Sequence, residues 1–188
     1  MANAPKDSAL DIRFLAVSAR RNPVKPRLEE EVTELFDRWR GGLLRYLSTF
    51  GLAQHDGEEI VQEAFLALFS HLQKDKARTN LHGWLFRVAH NLALKRRDAE
   101  WRAMGAAGDV DQLPHPALNP EDELASNRRQ RRLSSILRAL PEQDRRCLYL
   151  RAEGLRYREI GEVLGMSLGS VAASLERSLA RFQRADKR

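Results

Sequence analysis

The chain of 188 residues holds a single cysteine, Cys147, inside the apolar run Cys147-Leu148-Tyr149-Leu150. One thiol excludes an internal disulfide framework, and a lone buried thiol acts as a small hydrophobe. No Cys/His cluster has zinc-ligand spacing, and the five histidines (His55, His71, His82, His90, His115) are scattered, so they read as surface or packing residues. Long hydrophobic runs are missing too: none approaches the roughly 18 apolar residues that would suggest a membrane span. Residues 1–30 lack the apolar stretch of a signal peptide, so a cytoplasmic location without membrane insertion is expected. Period-two alternation is absent over any useful length, which argues against strands. A Gly-rich phosphate loop, metal-ligand spacing and a nucleophile elbow are likewise absent. Neither catalytic residues nor a cofactor nor a metal is therefore expected, and the chain reads as a non-enzyme.

What the chain does have is positive charge, unevenly placed. Thirty-two Lys and Arg outnumber 26 Asp and Glu, giving a formal net charge of +6. A basic balance suits a polyanionic partner such as nucleic acid. Residues 126–188 carry fifteen Lys and Arg against seven Asp and Glu, a net of +8, whereas residues 101–125 come to −4.

Helical periodicity runs through most of the rest. Residues 1–28, with Pro5, Pro23 and Pro26, read as a flexible tail. Residues 29–102 form a first helical domain. Leu35, Phe36, Trp39, Leu43, Leu47 and Phe50 mark one amphipathic face, which Gly41-Gly42 is expected to interrupt. A second helix should start at Asp56, capped by its carboxylate with Glu59 completing a capping box. Ile60, Val61, Ala64, Phe65, Leu68, Phe69 and Leu72 are its buried stripe. After a polar loop, a third helix runs from about Leu81 to Arg102, with Trp84 facing inward as core and a basic end at Lys95, Arg96 and Arg97. Gly105, Gly108, Pro114, Pro116 and Pro120 make 103–122 an acidic linker. Residues 123–188 form a second helical domain. Leu133, Ile136, Leu137 and Leu140 are one stripe, and Pro141 starts the next helix. The expected fold is all-α: two small helical domains joined by a flexible linker.

The segment from Leu155 to Phe182 is the most specific. Tyr157, Ile160, Val163 and Leu164 define a short helix, and Gly165 suits a left-handed turn. Ser167 can cap a second helix whose buried face is Val171, Leu175, Leu179 and Phe182. Short helix, glycine turn, longer helix is the pattern of a helix-turn-helix, whose second helix enters the DNA major groove.

From Arg158-Glu159-Ile160-Gly161 through Gly165-Met166-Ser167-Leu168-Gly169-Ser170-Val171, this segment resembles region 4 of the sigma-70 family, usually worded "EIAEILGIPVGTV". Upstream, Ile136 to Arg145 is similar to that region's first helices, typically "L-x-x-L-P-x-x-x-R". In the first domain, Asp56-Gly57-Glu58-Glu59-Ile60-Val61-Gln62-Glu63-Ala64-Phe65 resembles "DAEDLVQETF" of region 2, and Gly83-Trp84-Leu85-Phe86-Arg87-Val88-Ala89-His90-Asn91-Leu92-Ala93 resembles "WLFRIARNLA". The resemblance covers about residues 34–102 and 131–184. Two blocks in this order, with only a short linker between, resemble the extracytoplasmic-function group.

The resemblance implies a promoter-reading subunit that binds core RNA polymerase through the β′ clamp helices and the β flap, and binds promoter DNA, with an anti-sigma factor as a possible further partner. It places polymerase docking on Asp56, Glu59, Gln62 and Glu63. Opening of the −10 element falls to Lys76, Arg78 and Asn80 in the loop before the third helix, with Arg87, Asn91, Lys95, Arg96 and Arg97 on the upstream duplex. Reading of the −35 element falls to Arg156, Arg158, Ser167, Ser170, Ser174, Arg177 and Arg181. The family commonly continues with Lys-Ser-Arg where this chain has Ala172-Ala173-Ser174. Arg–guanine pairs are strong major-groove discriminators, so two further readings stay open. One is a sigma-like adaptor that binds polymerase or an anti-sigma factor with weakened −35 readout. The other is a dimeric helix-turn-helix operator-binding regulator.

Overall fold

The computed structural model describes residues 25–74, 76–103 and 128–186, and every regular element among them is helical. Helix α1 (Lys25–Leu47) leads through a 3-10 turn (Ser48–Phe50) to α2 (Gln54–Gln73) and α3 (Leu81–Ala103). The second half holds α4 (Arg128–Arg138), α5 (Glu142–Ala152), α6 (Tyr157–Leu164) and α7 (Leu168–Asp186). Residues 25–28, expected in the tail, are helical, and residues 1–24 lie outside the described residues, as does most of the expected linker.

Helices α1, α2 and α3 pack on one another as a three-helix unit. Their apolar stripes meet as the periodicity predicts, with Leu43, Ile60, Leu68, Leu85 and Ala89 fully enclosed. Phe36 meets Phe65 edge-on, ring centroids 5.0 Å apart. Trp84 is half-buried against His71, at 4.7 Å between rings, and packs on the core as expected. Gly41-Gly42 does not interrupt α1: the helix runs straight through, because both flanks are anchored by buried side chains. Helix α2 begins at Gln54, two residues before the expected cap, and Asp56 turns its carboxylate to Arg96 instead.

Tyr46 joins three elements of this unit. Its ring lies 5.6 Å from both Phe50 and Phe86, and its hydroxyl is 2.7 Å from His90 Nδ1. Burial raises the tyrosine pKa and lowers that of His90 to about 4, below its ordinary 6.5. Both groups are thus neutral, and the hydrogen bond between them runs from the phenol to Nδ1 in one imidazole tautomer and from Nδ1 to the phenol oxygen in the other.

In the second half, Leu140, Cys147, Leu150, Leu155, Ile160, Val163, Val171 and Leu175 form the buried apolar set. Burial pushes the Cys147 thiol pKa up, in keeping with a packing role. The turn between α6 and α7 is made at Gly165, with φ at +66°. The Met166 amide donates to Gly161 O at 2.9 Å. Ser167 caps α7, its Oγ accepting from the Ser170 amide at 3.1 Å. Pro141 immediately precedes α5, close to the expected position. Leu133 and Leu179, expected in apolar stripes, are exposed. The face of α7 that is buried runs Val171, Ser174, Leu175, Ser178. Leu179 lies about 80° around the helix from Val171, at the edge of that face.

The two halves touch. Helix α6 lies on α3, and α5 lies on α1 and the 3-10 turn. Arg97 Nη1 donates to Glu142 Oε1 at 2.6 Å, and Arg146 donates to the same oxygen. The Arg146 guanidinium sits 3.8 Å over the Phe50 ring. Arg45 reaches Glu153 Oε1 through Nη2 at 2.8 Å and Nε at 3.1 Å. Glu153 occupies the space a side chain at Gly42 would need: a Cβ there would stand 2.2 Å from Glu153 Oε2.

The His90 pair makes stability depend on pH. A histidine whose folded pKa is depressed contributes fully above its unfolded value, and the contribution is lost as pH falls toward the folded value. Denaturant titration should show wild-type protein losing about 2 kcal/mol more than His90→Leu between pH 6.5 and 5. Equal losses in the two proteins would contradict the assignment.

Candidate nucleic-acid interface

On α2, Glu59, Gln62 and Glu63 are exposed on one face. Asp56, expected on that face, is buried: its Oδ1 accepts from Arg96 Nη1 at 2.9 Å, and Arg96 Nη2 bonds Glu59 Oε2 at 2.6 Å. The fork ties α2 to α3 and raises the Arg96 pKa, first through the Glu59 hydrogen bond. His55, Asp56 and Glu59 bring potential metal-ligating atoms within 4.8 Å of one another. The positive charge among them is already supplied by Arg96. Beside Gln62 and Glu63, Leu66 is 67% exposed. It went unremarked in the sequence because its spacing suits a buried stripe as well as an exposed one.

On α3, Arg87, Asn91 and Lys95 recur every four residues and all three are exposed, so they share a face. Arg96 and Arg97 are half-buried and engaged, the first with α2 and the second with Glu142. In the preceding loop, Lys76 and Arg78 are exposed, and Arg78 pairs with Glu31 at 2.5 Å. Asn80 has φ at +55°, and its Oδ1 accepts from the Gly83 amide at 3.1 Å. Its carbonyl side is thus spent on capping α3.

In the helix-turn-helix, Ser167 and Ser170 are exposed at the start of α7, with their hydroxyls 2.9 Å apart. Ser174 corrects the expectation. It is fully buried and donates to Asp144 Oδ1 at 2.6 Å, so in this structure it faces α5 instead of the groove-reading side. The cause is the helical period: position 174 falls between Val171 and Ser178 on the buried face. Arg177 clamps the same carboxylate, Nη2 to Oδ1 at 2.7 Å and Nε to Oδ2 at 3.2 Å. Burial alone would raise the Asp144 pKa, but hydrogen bonds from Arg177 and Ser174 more than offset it and hold it below the ordinary value. Arg181 Nη1 donates to Ala139 O at 3.0 Å. Arg156, which immediately precedes α6, and Arg158 on α6 are exposed, and Arg158 pairs with Glu162 at 3.3 Å. Asp144 is not distinguished in the sequence, since an acid in the first turn of a helix, here beside Glu142, looks like a solvated one.

Comparison with known proteins agrees with this layout. Residues 35–103 match the family model for sigma-70 region 2, and residues 130–182 match that for sigma-70 region 4. The chain is similar to the ECF RNA polymerase sigma factor SigE of Mycolicibacterium smegmatis, 36% identical over 66% of this chain and 49% of that protein. The match thus spans about half the length of that relative. It is also similar to the ECF RNA polymerase sigma factor ShbA of Streptomyces griseus, 32% identical over 71% of this chain and 73% of that protein. The fold is similar to the sigma factor RpoE crystallised with the anti-sigma factor NepR from Bartonella quintana. There the TM-score is 0.62 at 17% identity, over 84% of this chain and 98% of that one. No helix among the described residues is long and apolar enough to cross a membrane.

Removing the Asp144 carboxylate leaves the buried Ser174 hydroxyl without its acceptor and releases Arg177. Asp144→Ala should cost about 1–3 kcal/mol in denaturant unfolding. Arg177→Ala, whose side chain is more than half exposed, should cost less. The reverse ranking would show that Asp144 is not the anchor of α7.

Proposed function

Because the chain belongs to the extracytoplasmic-function group of the sigma-70 family, we propose that it binds core RNA polymerase and directs promoter-specific initiation in the cytoplasm, without chemistry of its own. The observation that carries this reading is the pairing of two separate surfaces. An acidic, amide-bearing face on α2 suits a basic protein surface, and a basic face on α3 suits DNA. Glu59, Gln62 and Glu63, with Leu66 as an apolar contact, are the polymerase-docking residues. Asp56 acts behind them by holding Arg96.

For the −10 region, Arg87, Asn91 and Lys95 contact the duplex just upstream of the opened stretch. Lys76 and Arg78 hold the backbone of the displaced strand, since cations position without specifying sequence. Arg97 joins them when its bond to Glu142 is exchanged for a phosphate. Ser167 and Ser170, with Arg156 and Arg158 on phosphates, present α7 to the −35 element. The β flap and β′ clamp helices of the polymerase are the protein partners, and an anti-sigma factor is a further one. The docking and −10 unit takes in 29–102, with its helices extending to Lys25 and Ala103, and the helix-turn-helix unit is assigned to 123–188.

The test is reconstituted transcription. The full chain is added to sigma-free core polymerase with fragmented bacterial genomic DNA as template. Discrete start sites are expected. The Arg87→Ala, Lys95→Ala pair should weaken promoter binding and reduce the salt slope by about one for each phosphate no longer neutralised. Binding to core without start sites would favour the adaptor reading. Failure to bind core, with a stable dimer on paired DNA half-sites, would favour the operator-binding regulator.

A further inference from the structure

The first two turns of α7, Leu168-Gly169-Ser170-Val171-Ala172-Ala173-Ser174-Leu175, contain no charged residue. Val171, Ser174 and Leu175 are buried, so the outward surface consists of Leu168, Gly169 and Ser170, with Ala172 and Ala173 half-buried beside them. Leu168 is 57% exposed and belongs to no part of the core. Leu168 and Ala172 lie four apart and share a face.

Three guanidinium groups nearby are engaged within the fold, while Arg156 stands exposed just before α6. Arg177 is fixed to Asp144 by two hydrogen bonds, Arg181 bonds the Ala139 carbonyl, and Arg158 pairs with Glu162. None of the three extends from the first two turns. The bidentate Arg or Lys contact to guanine O6 and N7 is therefore not available from this part of α7. Ser167 and Ser170 share one hydrogen bond between their hydroxyls, leaving one proton for a base edge. A serine hydroxyl serves any base, so it does not discriminate. What remains to discriminate is apolar. In the major groove only thymine offers an apolar group, its C5 methyl.

We propose that Leu168, with Ala172 beside it, reads thymine methyl groups, so that the upstream element recognised by this chain is defined by thymine positions instead of guanines. The inference rests on the reading of α7 as the −35 helix and names the bases that helix selects. An exposed leucine at the head of a groove-facing helix then has a partner that water does not provide.

Two linked measurements test it, both with the full chain and core polymerase. First, a promoter library with a randomised upstream block is selected by initiation. Thymine positions are expected in that block, and a guanine-defined consensus would overturn the proposal. Second, each selected thymine is replaced by uracil, which removes only the methyl group. Wild-type binding should weaken about fourfold per methyl. With Leu168→Ala the uracil penalty should vanish at the contacted position. The exposure of Leu168 means that this variant should melt like wild type. Equal affinity for thymine and uracil in wild type, or a penalty that persists in Leu168→Ala, would overturn the assignment. Initiation with no upstream preference would overturn it while leaving polymerase binding intact. Failure to initiate on any template would overturn the sigma reading itself, and this proposal with it.

Discussion

Glu142 stands in the first turn of α5, where the helix dipole already favours negative charge. Its Oε1 accepts from Arg97 of the first half and from Arg146 of its own helix. Burial pushes the Arg146 pKa down, and the Glu142 carboxylate is the first influence that opposes it. Held there, the Arg146 guanidinium covers the Phe50 ring, and α5 is set against the end of α1. Arg45 with Glu153 and Arg145 with the Thr49 carbonyl add further polar contacts at the same junction, beside the packing of α6 on α3. Arg97 and Glu142 are both partly open to solvent, as is Arg45. Pairs of that kind contribute about 0.2–1 kcal/mol each. These ion pairs therefore chiefly set orientation, while stability comes from the apolar core, which runs continuously through both halves.

The ion pairs also change how the basic character of the chain should be read. A net charge of +6 describes the sequence, but many cations are matched within the fold. Arg96 answers Asp56 and Glu59, Arg78 answers Glu31, Arg177 answers Asp144, and Arg158 answers Glu162. Arg87 and Lys95 stand exposed on α3. Among the described residues, the electrostatic footprint offered to a polyanion is therefore narrower than the composition suggests, with the α3 face as one part of it and Lys76 and Arg156 exposed outside it.

Helices and most of the core were legible because a 3.6-residue period needs only local pattern, as in the stripe from Ile60 to Leu72. The turn at Gly165 and the cap at Ser167 were legible for the same reason: each is a local demand on one residue type. Errors arose where a residue's fate is set by distant chain. Ser174 falls on the buried face of α7, and what makes a polar residue tolerable there is Asp144, thirty residues earlier, which accepts from its hydroxyl. Asp56 leaves the docking face because Arg96, forty residues later, draws it in. Asn80 and Gly41-Gly42 carry a different lesson. A capping side chain resembles a free polar one in sequence, and a glycine pair says nothing of what lies opposite. Periodicity predicts which face is covered but is silent on what covers it.

That silence is clearest at the two glycines of α1. A Cβ at Gly41 would meet nothing nearer than the tip of Arg45, at 3.4 Å. A Cβ at Gly42 would collide with the Glu153 carboxylate from the other half of the chain. Identical neighbours thus carry different information. Gly41 is free to drift to alanine, which helices favour. Gly42 is a keyhole, and its occupant is a residue 111 positions away. A side chain at Gly42 would push the flexible Glu153 carboxylate off the α1 surface and away from Arg45, loosening the tether between the halves while leaving both helices whole.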